Sequence, residues 1–234
     1  MAKNSIPFKQ FTALVVSCAA LAAVAAPRHV RPPTAHSYGH TLEEWAVLWC
    51  QWAYSFSEGA NPRTDTADCS LGQSGKVWFL ADVLRTSPGI RQCVVPEGNA
   101  LFFPVDFAFW FSTPEFPLTY DQLRAQNSLY LGYYTNRACE VDGRPVADLE
   151  RYHRYTPAFS VTLAGDSDFD TLSGGTYEPA EADGYWILLE PLPVGAHTIR
   201  IITGPPGSDY YIDLLIQLTI VRANEYVPPN HGSD

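Results

Sequence analysis

The stretch running from Cys69 to Phe111 constrains the fold more than any other part of this chain. It contains three apolar segments in quick succession, residues 76–81, 90–95 and 100–111, parted by Thr86-Ser87-Pro88-Gly89 and Pro96-Glu97-Gly98-Asn99. Both separators are turn chemistry, because Pro presets φ and Gly or Asn accepts positive φ. Segments this short and apolar, broken this often, suit strands rather than helices. Cys69 stands just before the first segment and Cys93 inside the second, so a disulfide between them would staple the centre of a β-sheet domain.

The cysteines agree with an oxidising destination. Residues 1–25 have the pattern of an export signal: Lys3 and Lys9 ahead of an apolar run, then Ala23-Val24-Ala25 as a small-x-small cleavage site. Val15-Val16-Ser17-Cys18 resembles a lipobox, but the apolar run continues past Cys18, which favours a cleaved signal and a secreted or periplasmic protein over a lipoprotein. The run is short of the roughly 20 residues a membrane span needs, so no span is expected in the mature chain. Four cysteines remain after cleavage, and an even number in an exported protein implies disulfides. The expected pairs are Cys69 with Cys93 and Cys50 with Cys139.

Composition narrows the class. The formal charge of −10 becomes −12 when Lys3 and Lys9 leave with the signal, which argues against a nucleic-acid partner. Only 17% of residues are charged while 13% are aromatic, and 19 prolines punctuate the chain. This is the composition of a β-sandwich or barrel. The expectation is a mainly β single domain over 41–222, an antiparallel sandwich or jelly roll, with a Pro-rich arm at 26–40 and a tail at 223–234. His29, His36 and His40 lie on that arm, without the rigid spacing of a metal site.

Two helices interrupt the β pattern. Thr41 followed by Glu44 is a capping box that opens a helix over 42–55, and Thr119 with Gln122 repeats the device over 119–134. Along the first, Trp45, Leu48, Trp49, Trp52 and Phe56 form one aromatic stripe that suits core packing, with a sugar-stacking groove as the functional alternative. Asp142-Gly143 marks a hairpin, and strands are expected at 158–163, 185–190, 196–203 and 210–221. The turn at 191–195 is expected to close a hairpin between two of these.

The candidate site residues are those whose chemistry does not fit its surroundings. Asp106 interrupts an apolar run, and a carboxylate among aromatics either finds a cation or rises in pKa. Arg85 and Arg91 are the nearest cations in sequence. Asp65 and Asp68 sit in the polar loop before Cys69 and, with Glu43, are the candidates for a second carboxylate. Trp49, Trp52, Trp78, Trp110 and Arg91 are the candidate ligand-binding residues. Asp166, Asp168 and Asp170 alternate like the opening of a calcium loop, although Thr171 and Tyr177 stand where an EF-hand needs Gly and Glu, so at most a looser calcium site remains. His153 and His197 read as core histidines. The leading expectation is an exported module that binds an extracellular carbohydrate or other small ligand on an aromatic face. The alternatives are a secreted glycan-acting hydrolase or lyase using Asp106 with a second carboxylate, and a structural or adhesive envelope protein with calcium. No GxSxG or HExxH motif is present to decide between them.

Overall fold

The computed structural model describes residues 29–64, 68–83, 88–133, 135–165, 174–205, 207–208 and 211–229. Residues 1–25, where an export signal is expected, Asp65, Arg85, the acidic trio Asp166, Asp168 and Asp170, and the final residues lie outside that set. None of the helices among the described residues is long and apolar enough to cross a membrane.

Among the described residues, ten strands form two five-stranded sheets. The first sheet joins β1 (Val77–Phe79), β3 (Ala100–Phe111), β8 (Gly175–Leu189) and β6 (His153–Tyr155) in that order, with β7 (Phe159–Leu163) also paired to β8. The second runs β2 (Pro88–Pro96), β10 (Ile212–Val221), β9 (Gly195–Thr203), β4 (Arg137–Val141) and β5 (Arg144–Pro145). β3 begins at Ala100 and ends at Phe111, as its apolar run implied. The sheets are mixed rather than antiparallel: β1 pairs with β3, and β2 with β10, in parallel. The three segments of the 69–111 stretch therefore do not form one meander. β2 belongs to the second sheet, and the turn at 96–99 hands the chain across to β3 in the first. The turn at 191–195 likewise passes from β8 to β9 between sheets and closes no hairpin, whereas Asp142-Gly143 does connect β4 to its partner β5.

Alternation along the strands sends side chains into two separate cores. Leu101, Phe103, Ile187 and Leu189 of the first sheet meet Val95, Ile199, Leu214 and Ile216 of the second in one apolar cluster. The opposite face, with Phe102, Ala182, Trp186 and Leu188, is covered by helix α1 (Leu42–Tyr54) through Ala46, Trp49 and Ala53. Trp49 is fully buried against Trp186, ring centroids 5.7 Å apart, and its indole N–H donates to the Leu80 carbonyl at 2.9 Å. Helix α2 (Tyr120–Gly132) packs on β8 and β3, burying Leu123, Asn127 and Leu131. Both helices open with the expected reciprocal capping box. The arm is not loose either, since Arg31 donates its backbone N–H to the Leu188 carbonyl at 2.9 Å beside a bridge from Val30 to Leu189.

Cys69 and Cys93 form the expected disulfide. Cys50 and Cys139 do not pair: both are buried free thiols, Cys50 in the cluster beneath α1 and Cys139 in the cluster between the sheets. The first sheet lies between them. Burial pushes the Cys139 thiol up to about 12 and Cys50 well above the ordinary range, so neither is a reactive thiolate.

Candidate functional site

β3 changes face at its middle. Before residue 104 its odd-numbered side chains enter the inter-sheet core; the register against β8 then shifts between Pro104 and Asp106, and beyond that bulge Ala108 points inward while Phe107 and Phe111 face α1. A bulge adds one residue and re-aims the side chains beyond it. Opposite stands Gly184, where a Cβ would come within 2.6 Å of the Phe107 Cβ and 2.8 Å of the Asp106 carbonyl oxygen, so only glycine fits this close approach.

Asp106, so aimed, accepts from Nε of Arg137 at 2.6 Å. Its partner comes from the start of β4, not from Arg91, which sits buried and donates to the carbonyls of Ala81 at 2.8 Å and Thr64 at 3.0 Å. Burial raises Asp106 to about 6; the Arg137 charge opposes that rise and Asp82 adds to it. Asp82 is held by Arg63 through two hydrogen bonds, Nε at 2.6 Å and Nη2 at 2.8 Å, the planar fork that suits a carboxylate. Asp106, Asp82 and Arg63 line one open cleft of about 450 Å³, walled by Tyr54, Phe107, Phe109, Trp110 and Tyr130 and closed beneath by Ile201, Ile212 and Leu214.

The candidate residues distribute unevenly over this geometry. Asp106 and Trp110 belong to the cleft, with Trp110 44% exposed. Trp49 and Trp78 are core, and Trp52 is half-buried with its indole N–H on the Leu71 carbonyl at 3.0 Å, so these three make no sugar-stacking groove. Asp68 caps a turn by accepting from the Ser70 N–H at 2.8 Å and does not line the cleft. Glu43 is paired with Arg154 at 2.8 Å. His197 bridges Asp142 and the Pro193 carbonyl, as a structural histidine does. Among the described residues no group of three or more His, Cys, Asp or Glu side chains is placed to hold a metal ion.

The second carboxylate of the cleft, Asp82, and both arginines escaped the sequence reading. Asp82 directly succeeds the apolar segment 76–81, and an acid at a strand end is a signal that could have been taken. Arg63 and Arg137 reach their partners across 19 and 31 positions, and no local pattern carries that information.

No protein-family model matches the chain, and no curated protein does. Among solved structures, a chain from the structure of PbICP-C in complex with falcipain-2 aligns at a TM-score of 0.28 and 13% identity over 63% of this chain and all of that one. Amebosin, solved in solution, aligns at 0.20 and 10% identity over 58% of this chain and 98% of its own. Scores this low carry no argument about what the chain does.

Proposed function

We propose that this chain is an exported binding protein that takes a small hydroxylated ligand of the carbohydrate class in the cleft beside β3. Aromatic rings offer flat apolar faces to the C–H face of a sugar ring, and carboxylates and guanidinium groups beside them accept from and donate to its hydroxyls. The observation that carries the reading is Trp110, an exposed indole in the wall of the same cleft as Asp106, Asp82 and Arg63. The Cys69–Cys93 bridge supports an oxidising compartment, and fractionation of expressing cells tests the location. The ligand is tested by a glycan array and then by calorimetry on the hits. Binding that Trp110→Ala weakens about tenfold or more supports the proposal. No hit, or hits that Trp110→Ala leaves unchanged, would remove it.

A second reading, hydrolysis of a glycan, is favoured by one specific observation: a carboxyl raised to about 6 shares the cleft with a second carboxylate whose two oxygens are occupied by an arginine. In that reading Asp106 is the proton donor and Asp82, held by the Arg63 fork, is the second carboxylate of the pair. Turnover of nitrophenyl glycosides that disappears in Asp106→Asn supports it, and inert substrates across a broad panel reject it.

A further inference from the structure

Beyond the Asp106–Arg137 ion pair lies another cleft, of about 290 Å³, whose lining includes Ser128, Arg137, Glu150, His153, Asp183 and Tyr185. We propose that it is a second binding site, built for a small zwitterion with one carboxylate and one ammonium group, the size of a free amino acid.

The cleft is assembled around a carboxylate that solvent does not reach. Asp183 has no exposed side-chain surface; it accepts from the Ser128 hydroxyl at 2.6 Å and faces Nε2 of His153 at 2.5 Å. A carboxylate partner puts the proton on Nε2, which leaves Nδ1 as the ring nitrogen available to a ligand. The imidazole lies stacked on Tyr185, centroids 4.9 Å apart, and the Arg137 guanidinium stands 4.5 Å from the same ring. Tyr185 in turn donates its hydroxyl to Oε2 of Glu150 at 2.8 Å. Asp183 is fully engaged, whereas Glu150 and Arg137 are each held by only some of their polar atoms. Glu150 retains Oε1. Arg137 spends Nε on Asp106 and Nη2 on the Leu131 carbonyl, and retains Nη1.

An acidic, a cationic and an imidazole side chain, Glu150, Arg137 and His153, therefore line one small cleft around the buried Tyr185 ring. A ligand with a single charge would engage one of the fixed groups and strip water from the other without replacing it, which is costly. A molecule bearing both charges satisfies both, its carboxylate on Arg137 and its ammonium on Glu150. The volume lies at the small end of ligand cavities, which suits a free amino acid and not an oligosaccharide. This separates the site from the cleft beside β3.

Isothermal calorimetry on the full chain with glycine, L-alanine and L-serine tests the proposal, with acetate and methylamine as single-charge controls. Saturable binding is expected for at least one amino acid, with both controls about tenfold weaker or more. Glu150→Gln keeps an acceptor for the Tyr185 hydroxyl but loses the charge, and is expected to weaken binding about tenfold. His153→Gln provides an independent variant should Glu150→Gln fail to fold, and it too weakens binding, while Trp110→Ala in the other cleft does not. The proposal is overturned if no amino acid binds at about 10 mM, if acetate or methylamine binds as well, or if folded Glu150→Gln or His153→Gln binds as the unaltered protein does.

Discussion

The two helices are alike in length, 13 residues each, and in their capping boxes, yet they bury opposite things. α1 presses Ala46, Trp49, Cys50 and Ala53 into an aromatic layer on the first sheet, and its indole N–H groups tie down the loop carbonyls of Ser37, Leu80 and Leu71. α2 buries only Leu123, Asn127 and Leu131, and through Asn127 and Ser128 it hydrogen-bonds the carboxylates of Glu181 and Asp183. One helix holds the fold, and the other roofs the chemistry. Both clefts include α2 residues in their walls, Tyr130 in one and Ser128 in the other. A lid with a polar underside tolerates charged groups that a purely apolar one would exclude.

Truncating the largest anchor of α1 is the strongest way to break this contrast. Trp49→Ala removes a fully buried ring packed on Trp186 and Phe107, and is expected to cost about 4 kcal/mol in equilibrium denaturation. A loss under about 1 kcal/mol would mean that α1 is not the structural helix. The loop beneath α1 supplies the next effect. It hangs from Trp52 through Leu71 and is closed by the Cys69–Cys93 bridge over 24 positions, so Cys69→Ser with Cys93→Ser is expected to cost about 3 kcal/mol. The same double variant should no longer respond to reductant, whereas Cys50→Ser and Cys139→Ser should respond as the parent does. A reductant effect that tracks Cys50 or Cys139 instead would contradict their placement on opposite sides of the first sheet.

The buried carboxylates near α2 give stability a pH dependence. Burial raises Glu181 to about 7; the Asn127 amide offsets part of this and Asp183 adds to it. Burial likewise raises Asp106 to about 6. Both groups bind protons more tightly folded than unfolded, so their contribution to stability is complete below about pH 4 and is lost as pH rises through 6 and 7. The decline is expected to be on the order of 3 kcal/mol for each group, and Glu181→Gln should flatten the part centred near 7. Stability that rises over that interval, or a slope that Glu181→Gln leaves untouched, would show that other titrations dominate.

What could be foreseen from the residues divides along the same line as the helices. α1, β3, the capping boxes, the Cys69–Cys93 bridge and the alternating strand β10 were legible because each is a local pattern: a spacing, a turn or a period of two. The parallel pairings were not, since β1 meets β3 and β2 meets β10 only after the chain has crossed between sheets, and periodicity does not reveal a partner. β8 was foreseen only from residue 185, because its first half, with Pro179, Glu181 and Asp183, reads as a polar loop until α2 covers it. The site failed in the same way. Asp106 was conspicuous as a charge among phenylalanines, but its cation is Arg137 and its neighbour is Asp82, both brought in by tertiary packing. The stripe on α1 packs on the sheet as its spacing suggested, but Trp49, Trp52 and Trp78 do not serve the ligand role offered for them, since a buried and a ligand-facing indole read alike in sequence.

The smallest test is the most discriminating, because the two capping boxes are chemically matched. In each, the threonine hydroxyl accepts from the N3 backbone N–H at 3.3 Å and the N3 side chain accepts from the threonine N–H, at 2.8 Å from Glu44 and 2.9 Å from Gln122. Thr41→Ala and Thr119→Ala should each cost about 1 kcal/mol in global stability. Their local consequences should differ. The first turn of α1 is fixed by buried Leu42 and by Trp45 on Ser37, so its amides remain protected when the cap is lost. The first turn of α2 has Leu123 beneath it and the Tyr120 hydroxyl on the Thr156 carbonyl at 2.8 Å, but no counterpart to the buried Leu42–Ala46 pair of α1, so hydrogen exchange at Gln122 and Leu123 is expected to accelerate more than at Glu44 and Trp45. Because α2 overlies Glu181, such fraying should admit water to its carboxyl and move the upper limb of the pH profile toward lower pH in Thr119→Ala alone. Equal exchange in the two variants, or a pH profile shifted by Thr41→Ala, would dissolve the distinction between a helix that anchors and a helix that roofs.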